Sequence, residues 1–263
     1  MLKVLREAKV HTSWINPNPA YEEAVQYYIS CVLDSQTQET FLEDFRAFQQ
    51  RLSDYGLFNS LAQTLLKITA PGVPDAYQGT ELWDWSLVDP DNRRAVDYKR
   101  RHDMLRALRE RLTTVGEDRR TLTQELLTHK EDGRIKLYIT TLALSCRRMH
   151  PGLFSAGRYM PAQGRGVKGQ HVFGFSRCQG HRAAIVAVPM LIGRLLAGTY
   201  DAPLGEAVWQ DTQLLTPGIN PRWDWRNVLT GEPVVFATDD GPPRLALAAL
   251  LRHCPVALLV AQE

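Results

Sequence analysis

The spacing of apolar residues changes near residue 155, and that change limits the folds open to this chain. Before it, apolar side chains recur at helical spacing; after it, they come in short β-like runs bounded by Gly, Pro and polar clusters. A helix with one apolar stripe must bury it on another layer, and a half-buried strand must pair. The chain therefore reads as helices with few strands, then an all-β part expected to be an antiparallel sandwich. With 263 residues there is room for one large domain or two modest ones. The expected divisions are residues 1–115, a helical connection over 116–154, and a β domain over 155–263.

Within the first part, residues 1–10 read as the last turns of a helix, with Leu2, Val4, Leu5 and Ala8 on one face. Asn16-Pro17-Asn18-Pro19 can neither continue a helix nor pair in a central strand, so residues 11–19 form a loop. Helices are expected at 21–33, 40–53 and 57–68, the last stopped by Ala70-Pro71-Gly72. Residues 73–77 are a short strand candidate, and 78–92 a long loop rich in carboxylates and tryptophan. A basic amphipathic helix over 93–112 follows, then a linker over 113–118. Helices at 122–129 and 132–150 come next, the second capped by Asp132 and ended by Pro151-Gly152. Strands are expected at 171–177, 183–189, 207–210, 225–229, 233–237 and 255–260, while 245–251 fits either state.

Several functions are excluded. Lys plus Arg (31) nearly balances Asp plus Glu (29), so charge gives no case for a nucleic-acid partner. The longest apolar stretches, 183–192 and 245–251, fall well short of the roughly 20 residues that span a bilayer. The first residues lack the apolar core of a signal peptide, so no membrane is expected and the cytoplasm is the expected compartment. Cys31, Cys146, Cys178 and Cys254 are widely spaced, which argues against structural zinc or a disulfide framework. No metal or cofactor is expected. Gly164-Arg-Gly166-Val-Lys-Gly169 has dinucleotide-loop spacing, but a strand rather than a helix should follow it, which makes it a hairpin. Asp89-Pro-Asp91-Asn92 begins like a calcium loop, yet Arg93-Arg94 stand where the next ligand and the turning glycine belong.

The segment Ile68-Thr-Ala-Pro71-Gly72-Val73-Pro74-Asp75-Ala76-Tyr77-Gln78-Gly79-Thr80-Glu81 carries a specific message. A helix ends at Pro-Gly, and a short strand would deliver Tyr77, Gln78 and Glu81 to its C-terminal end. In a (β/α)8 barrel that end faces the active site. The loop beyond adds Trp83, Asp84 and Trp85, then Asp89, Asp91, Asn92, Arg93 and Arg94. Carbohydrate sites use this mixture: aromatic faces pack on the apolar side of a sugar ring while polar groups grip its hydroxyls.

Pro-Gly-x-Pro-x-x-Tyr-x-Gly-x-Glu resembles the eighth-strand segment of the α-amylase family of glycoside hydrolases and transglycosylases. The wider text narrows this. Lys9-Val-His11-Thr-Ser-Trp14-Ile-Asn-Pro17, Leu87-Val-Asp-Pro-Asp-Asn-Arg-Arg94 and Asp132-Gly-Arg-Ile-Lys-Leu137 resemble the maltooligosyltrehalose synthases within that family, as do 171–177 and Leu229-Thr-Gly-Glu-Pro. The resemblance implies the last segment of an amylase-type barrel, incomplete and mostly helical in this chain, followed by the sandwich. It also implies rearrangement of the reducing-end α-1,4 linkage of a maltooligosaccharide to an α,α-1,1 linkage. The family's catalytic carboxylates follow the fourth, fifth and seventh barrel strands. The only His-Asp here, His102-Asp103, lies instead in the basic helix after the eighth. No catalytic residue is therefore assigned. This chain alone is expected to be inactive, and the remaining N-terminal barrel portion is a candidate partner.

The substrate-binding candidates are Tyr77, Gln78, Glu81, Asp89, Asn92, Arg93, His11 and Trp14. Each also has a structural reading: a hydrogen-bond network holding the loop, an Asp–Arg pair, or packing of a loop-edge tryptophan. Lys136 has a functional reading too, weighed against that of a solvated helix-surface lysine, which is favoured. Trp209, Trp223 and Trp225 read as packing in the β part, and His150, His171 and His253 as structural. An α-glucan hydrolase of the amylase family, or a non-enzymatic carbohydrate-binding module, are the alternatives.

Overall fold

Residues 1–198, 202–238 and 241–262 are described by the structure, a computed structural model. The chain divides into two units, Met1–Ser53 and Asp54–Glu263.

In the first unit, helix α1 (Leu2–Ala8) is followed by α2 (Pro19–Val32) and the opening turns of α3 (Glu39–Thr69). Asn18 caps α2, its side chain accepting from the Tyr21 N–H at 3.2 Å, and Pro19 supplies the fixed φ of a first helical position. Glu22 is buried in the first turn of α2. It accepts two bonds from Arg6 of α1, at 2.8 and 2.7 Å, and one from the Thr12 hydroxyl at 2.6 Å. These bonds, the Arg6 pair first, hold the Glu22 carboxyl down at about pKa 2. Apolar burial is sparse: Phe41, Phe45, Phe48 and Leu52 lie exposed at helical spacing along α3.

Residues 40–53 and 57–68, expected as two helices, form one 31-residue helix. The stretch between them, Asp54-Tyr55-Gly56, contains no proline, and an interior glycine costs only about 1 kcal/mol.

The second unit continues with α4 (Tyr98–Val115), α5 (Arg120–Thr128), α6 (Arg134–Met149) and α7 (Pro151–Ala156), then strands β1 (Arg158–Arg165), β2 (Val172–Gln179) and β3 (Arg182–Pro189). Short helices α8 (Ile192–Leu195) and α9 (Gly205–Trp209) lead to β4 (Gln213–Leu215), β5 (Asp224–Asn227), β6 (Arg244–Ala246), α10 (Leu247–Leu250) and β7 (Ala257–Gln262). Helix α4 begins at Tyr98 rather than at 93, because Asp97 caps it by accepting from the Arg100 N–H at 2.9 Å. Gly133 rather than Asp132 is the cap residue of α6, although the Asp132 side chain still accepts from the Arg134 N–H at 2.8 Å. Pro151 starts a helix rather than only ending one. Residues 207–210, expected as a strand, lie mostly in α9, and 233–237 contribute only isolated bridges at Pro233 and Ala237. The ambiguous stretch 245–251 divides between β6 and α10.

The expected two-sheet sandwich is replaced by one antiparallel sheet of seven strands, in the order β5-β7-β3-β2-β1-β4-β6. Strand β1 is the reason. Its first part, Arg158–Ala162, pairs with β2, and its last part, Gln163–Arg165, pairs with β4. The sheet curls at that changeover and brings Leu214 of β4 over Gly174 of β2, where a Cβ would stand 2.9 Å from Leu214 Cδ1. Strand β3 is central and buried along nearly its whole length. Phe58, Leu61, Leu65, Leu122, Leu126, Ile135, Tyr138, Ile139, Phe154, Ile185, Val186, Leu258 and Leu259 share one apolar cluster, so the sheet and helices α3, α5, α6 and α7 pack on a common core.

Residues 73–77 do not form the expected strand. Among the described residues no strand precedes Arg158, so this segment has no ladder to join, and Pro74 removes one donor.

Candidate functional site

The loop from 77 to 97 is shaped by its own polar side chains. The Tyr77 carbonyl accepts from the N–H and hydroxyl of Thr80, at 3.2 and 2.7 Å, closing a turn with Gly79 at φ +90°. Arg101, from the first turns of α4, reaches back to this turn. It donates to the Glu81 carboxylate at 3.0 Å, the Gly79 carbonyl at 2.7 Å and the Asp97 carbonyl at 3.2 Å. Asp84 accepts from the Ser86 N–H at 2.9 Å and hydroxyl at 2.5 Å, and Asp91 accepts from the Leu87 N–H at 2.7 Å. Asp91 also pairs with Arg94.

These turns enclose a cleft of about 370 Å³, lined chiefly by Gln78, Trp83, Asp84, Trp85, Asn92 and Arg101. Asp91, Arg94 and Asp97 also line it, so two indoles, two carboxamides, three carboxyl side chains and two guanidiniums border one space. The Asn92 Oδ1 is buried there with no hydrogen-bond partner. Trp85 is two-thirds exposed. Such a cleft can offer an aromatic face and several donors and acceptors to a polyhydroxylated ring.

Two carboxylates of the lining, Asp84 and Asp91, are ill suited to proton donation. Asp84 is held below its ordinary pKa by the two Ser86 bonds, and Asp91 by the Leu87 N–H and then Arg94. A glycosidic general acid needs the opposite shift.

Of the sequence-derived candidates, Gln78 and Asn92 line the cleft, with Gln78 also accepting from the Tyr98 hydroxyl at 3.1 Å. Glu81 stands one bond behind it, on Arg101. Asp89 and Arg93 pair with each other on the exposed outer side of the loop. Tyr77 is about half exposed, outside the lining. His11 and Trp14 belong to the first unit, where the His11 ring lies tilted against Tyr21 at 5.0 Å and the Arg6 guanidinium lies 5.0 Å from the exposed Trp14 ring.

Arg101 was not among the candidates, and Lys136 was weighed but left out of the substrate-binding set. Arg101 is one of many basic residues on α4; its spacing from the Asp97 cap, one turn on, was the available signal. Lys136 is buried rather than solvated. Its Nζ donates to the Leu82 carbonyl at 3.0 Å and lies 5.6 Å from the Trp83 ring centre.

No family model matches the chain. A Mycobacterium tuberculosis protein provisionally named maltooligosyl trehalose synthase is 34% identical over 258 residues, covering 98% of this chain and 27% of its own length. The structure of maltooligosyltrehalose synthase from Arthrobacter ramosus superposes with a TM-score of 0.69 at 34% identity, over 99% of this chain and 29% of its own. This chain is homologous along its whole length to a portion of maltooligosyltrehalose synthase. A hypothetical maltooligosyl trehalose synthase of Sulfolobus tokodaii also matches, with a TM-score of 0.62 at 27% identity, over 98% of this chain and 28% of its own. The chain thus spans between 27% and 29% of the length of these synthases.

Proposed function

We propose that this chain is the C-terminal portion of an intramolecular transglucosylase. The complete enzyme converts the reducing-end α-1,4 linkage of a maltooligosaccharide to an α,α-1,1 linkage, forming maltooligosyltrehalose. The reading rests on homology over the whole chain, together with a cleft that pairs two indoles with carboxamide and guanidinium groups. In such a reaction one carboxylate attacks the anomeric carbon while a second protonates the leaving oxygen, giving a glycosyl-enzyme. The freed glucose stays bound, turns over, and attacks through its anomeric hydroxyl in place of water.

This chain's part is to grip and orient. Trp85 offers a ring face, and the side-chain amides of Gln78 and Asn92 offer hydrogen-bonding groups to sugar hydroxyls. The acids come from the remaining barrel portion of such an enzyme, which also covers the exposed Phe41, Phe45, Phe48 and Leu52 of α3. A reducing compartment, the cytoplasm, fits the four free thiols Cys31, Cys146, Cys178 and Cys254.

The purified chain, incubated with maltohexaose, should yield no trehalose-ended product by chromatography. Turnover by the chain alone would refute the assignment of the acids to other polypeptide. Release of glucose or maltose by the chain alone would favour a hydrolase.

A further inference from the structure

A lysine four-fifths or more buried has to be explained, because an ammonium loses hydration that apolar packing cannot return. Lys136 is 8% exposed and, among the described residues, forms no ion pair within bonding distance. Its Nζ donates to the Leu82 carbonyl at 3.0 Å, and its charge lies 5.6 Å from the centre of the Trp83 ring. The indole is fixed from a second side, its Nε1 donating to the Lys130 carbonyl at 2.6 Å. Between these two contacts Gly133 lets the loop lie directly on the start of α6. A Cβ there would stand 3.2 Å from Leu82 Cβ and 3.4 Å from the Trp83 nitrogen. Packing alone would be served as well by a methionine, so the retained charge marks a geometric task.

We propose that Lys136 is a positioning residue for the cleft, holding the Leu82 carbonyl and the Trp83 indole so that the indole forms a fixed wall for a bound glucosyl ring. The inference rests on the sugar-cleft reading above and adds the residue that sets its wall. The groups facing the ammonium are Lys67 from α3, which disfavours its charge, and Asp84 and Glu81 from the loop, which favour it. Burial outweighs the two carboxylates and brings the Lys136 pKa down to about 8. The pin is therefore charged at neutral pH and loses its charge a little above it, when the attraction to the indole face is lost.

The test uses the full chain labelled with 5-fluorotryptophan, with the Trp83 fluorine resonance assigned by Trp83→Phe. Titrated from about pH 6.5 to about pH 9.5, that resonance should shift with a midpoint near 8, and the shift should vanish in Lys136→Met. At neutral pH, Lys136→Met should bind maltohexaose about three- to tenfold more weakly than the parent. A Trp83 resonance that does not titrate, or that titrates equally in the variant, overturns the proposal, as does an unchanged maltohexaose affinity. If Lys136→Met does not fold, the titration of the parent decides by itself. If the parent binds no maltohexaose, the sugar-cleft reading fails, while the fluorine titration still decides whether Lys136 pins the indole.

Discussion

Arg177 offers a demanding test of how the second unit is held together. It projects from β2 and is 1% exposed, yet among the described residues it bonds to no carboxylate. Its guanidinium donates twice to the Gly157 carbonyl, at 3.1 and 3.0 Å, and once to the Thr69 carbonyl at 3.3 Å. Thr69 is the last residue of α3, where carbonyls have no helical partner and the helix dipole favours a cation. Arg147 of α6 works beside it, donating to the Ile68 carbonyl at 2.7 Å and the Gly72 carbonyl at 2.5 Å. Two guanidiniums thus terminate the long helix and tie it to α6 and the sheet. Arg177→Met leaves the Gly157 and Thr69 carbonyls without these donors, a loss of about 1–3 kcal/mol each. Removal of a desolvated charge offsets part of that. The expected net loss is about 2–3 kcal/mol, or roughly 4–12 °C in midpoint for a unit of this size. Arg177→Lys keeps the charge but not the fork, and should lose about half as much. Urea unfolding of parent and variants, followed by circular dichroism and tryptophan fluorescence, measures it. A Met variant within about 0.5 kcal/mol of the parent would show that the guanidinium is a desolvation burden rather than a tie.

Two further outcomes follow from local geometry. Gly231 sits at φ +79° in the turn after β5, and a Cβ there would stand 1.6 Å from the Glu117 carbonyl oxygen, so Gly231→Ala should cost about 3 kcal/mol or more in the same urea assay. Glu22 has its folded-state pKa lowered to about 2, chiefly by Arg6 and then by the Thr12 hydroxyl. Its stabilising contribution is therefore complete above the ordinary carboxylate value and is lost as pH falls through about 2. Helical signal from the parent should decline across that acid range, and Glu22→Gln should remove the part of the decline that depends on this carboxyl; identical acid profiles would contradict the role given to the Arg6 pair.

Much of the fold was legible where periodicity and punctuation agree. Residues 171–177 and 183–189 are rich in apolar and β-branched side chains, and both lie in strands, β2 and β3, that pair throughout. Residues 122–129 carry a clear stripe in Leu122, Leu126 and Leu127, and they form α5. Strand β1 was not legible, because Pro161, Gly164 and the alternation of half-exposed residues resemble a loop. Only its tertiary pairing with both β2 and β4 makes it a strand. The strand expected at 73–77 failed for the reverse reason: local composition allowed it, but a strand needs a neighbour. The site divides in the same way. Gln78 and Asn92 stand in the motif segments that were singled out, whereas Arg101 lines the cleft from the helix that follows the loop and Lys136 stands behind it on α6, and neither helix reports on its face which lysine or arginine turns inward.

The account centres on the cleft between Gln78 and Arg101 as the place where this chain meets a glucan. Calorimetric titration of maltohexaose into the full chain, with Trp85→Ala beside the parent, tests that most directly. The account predicts binding by the parent that falls by about tenfold in the variant, the loss expected when a stacking indole is removed. Binding unaffected by Trp85→Ala, or no binding by a folded parent, would contradict it.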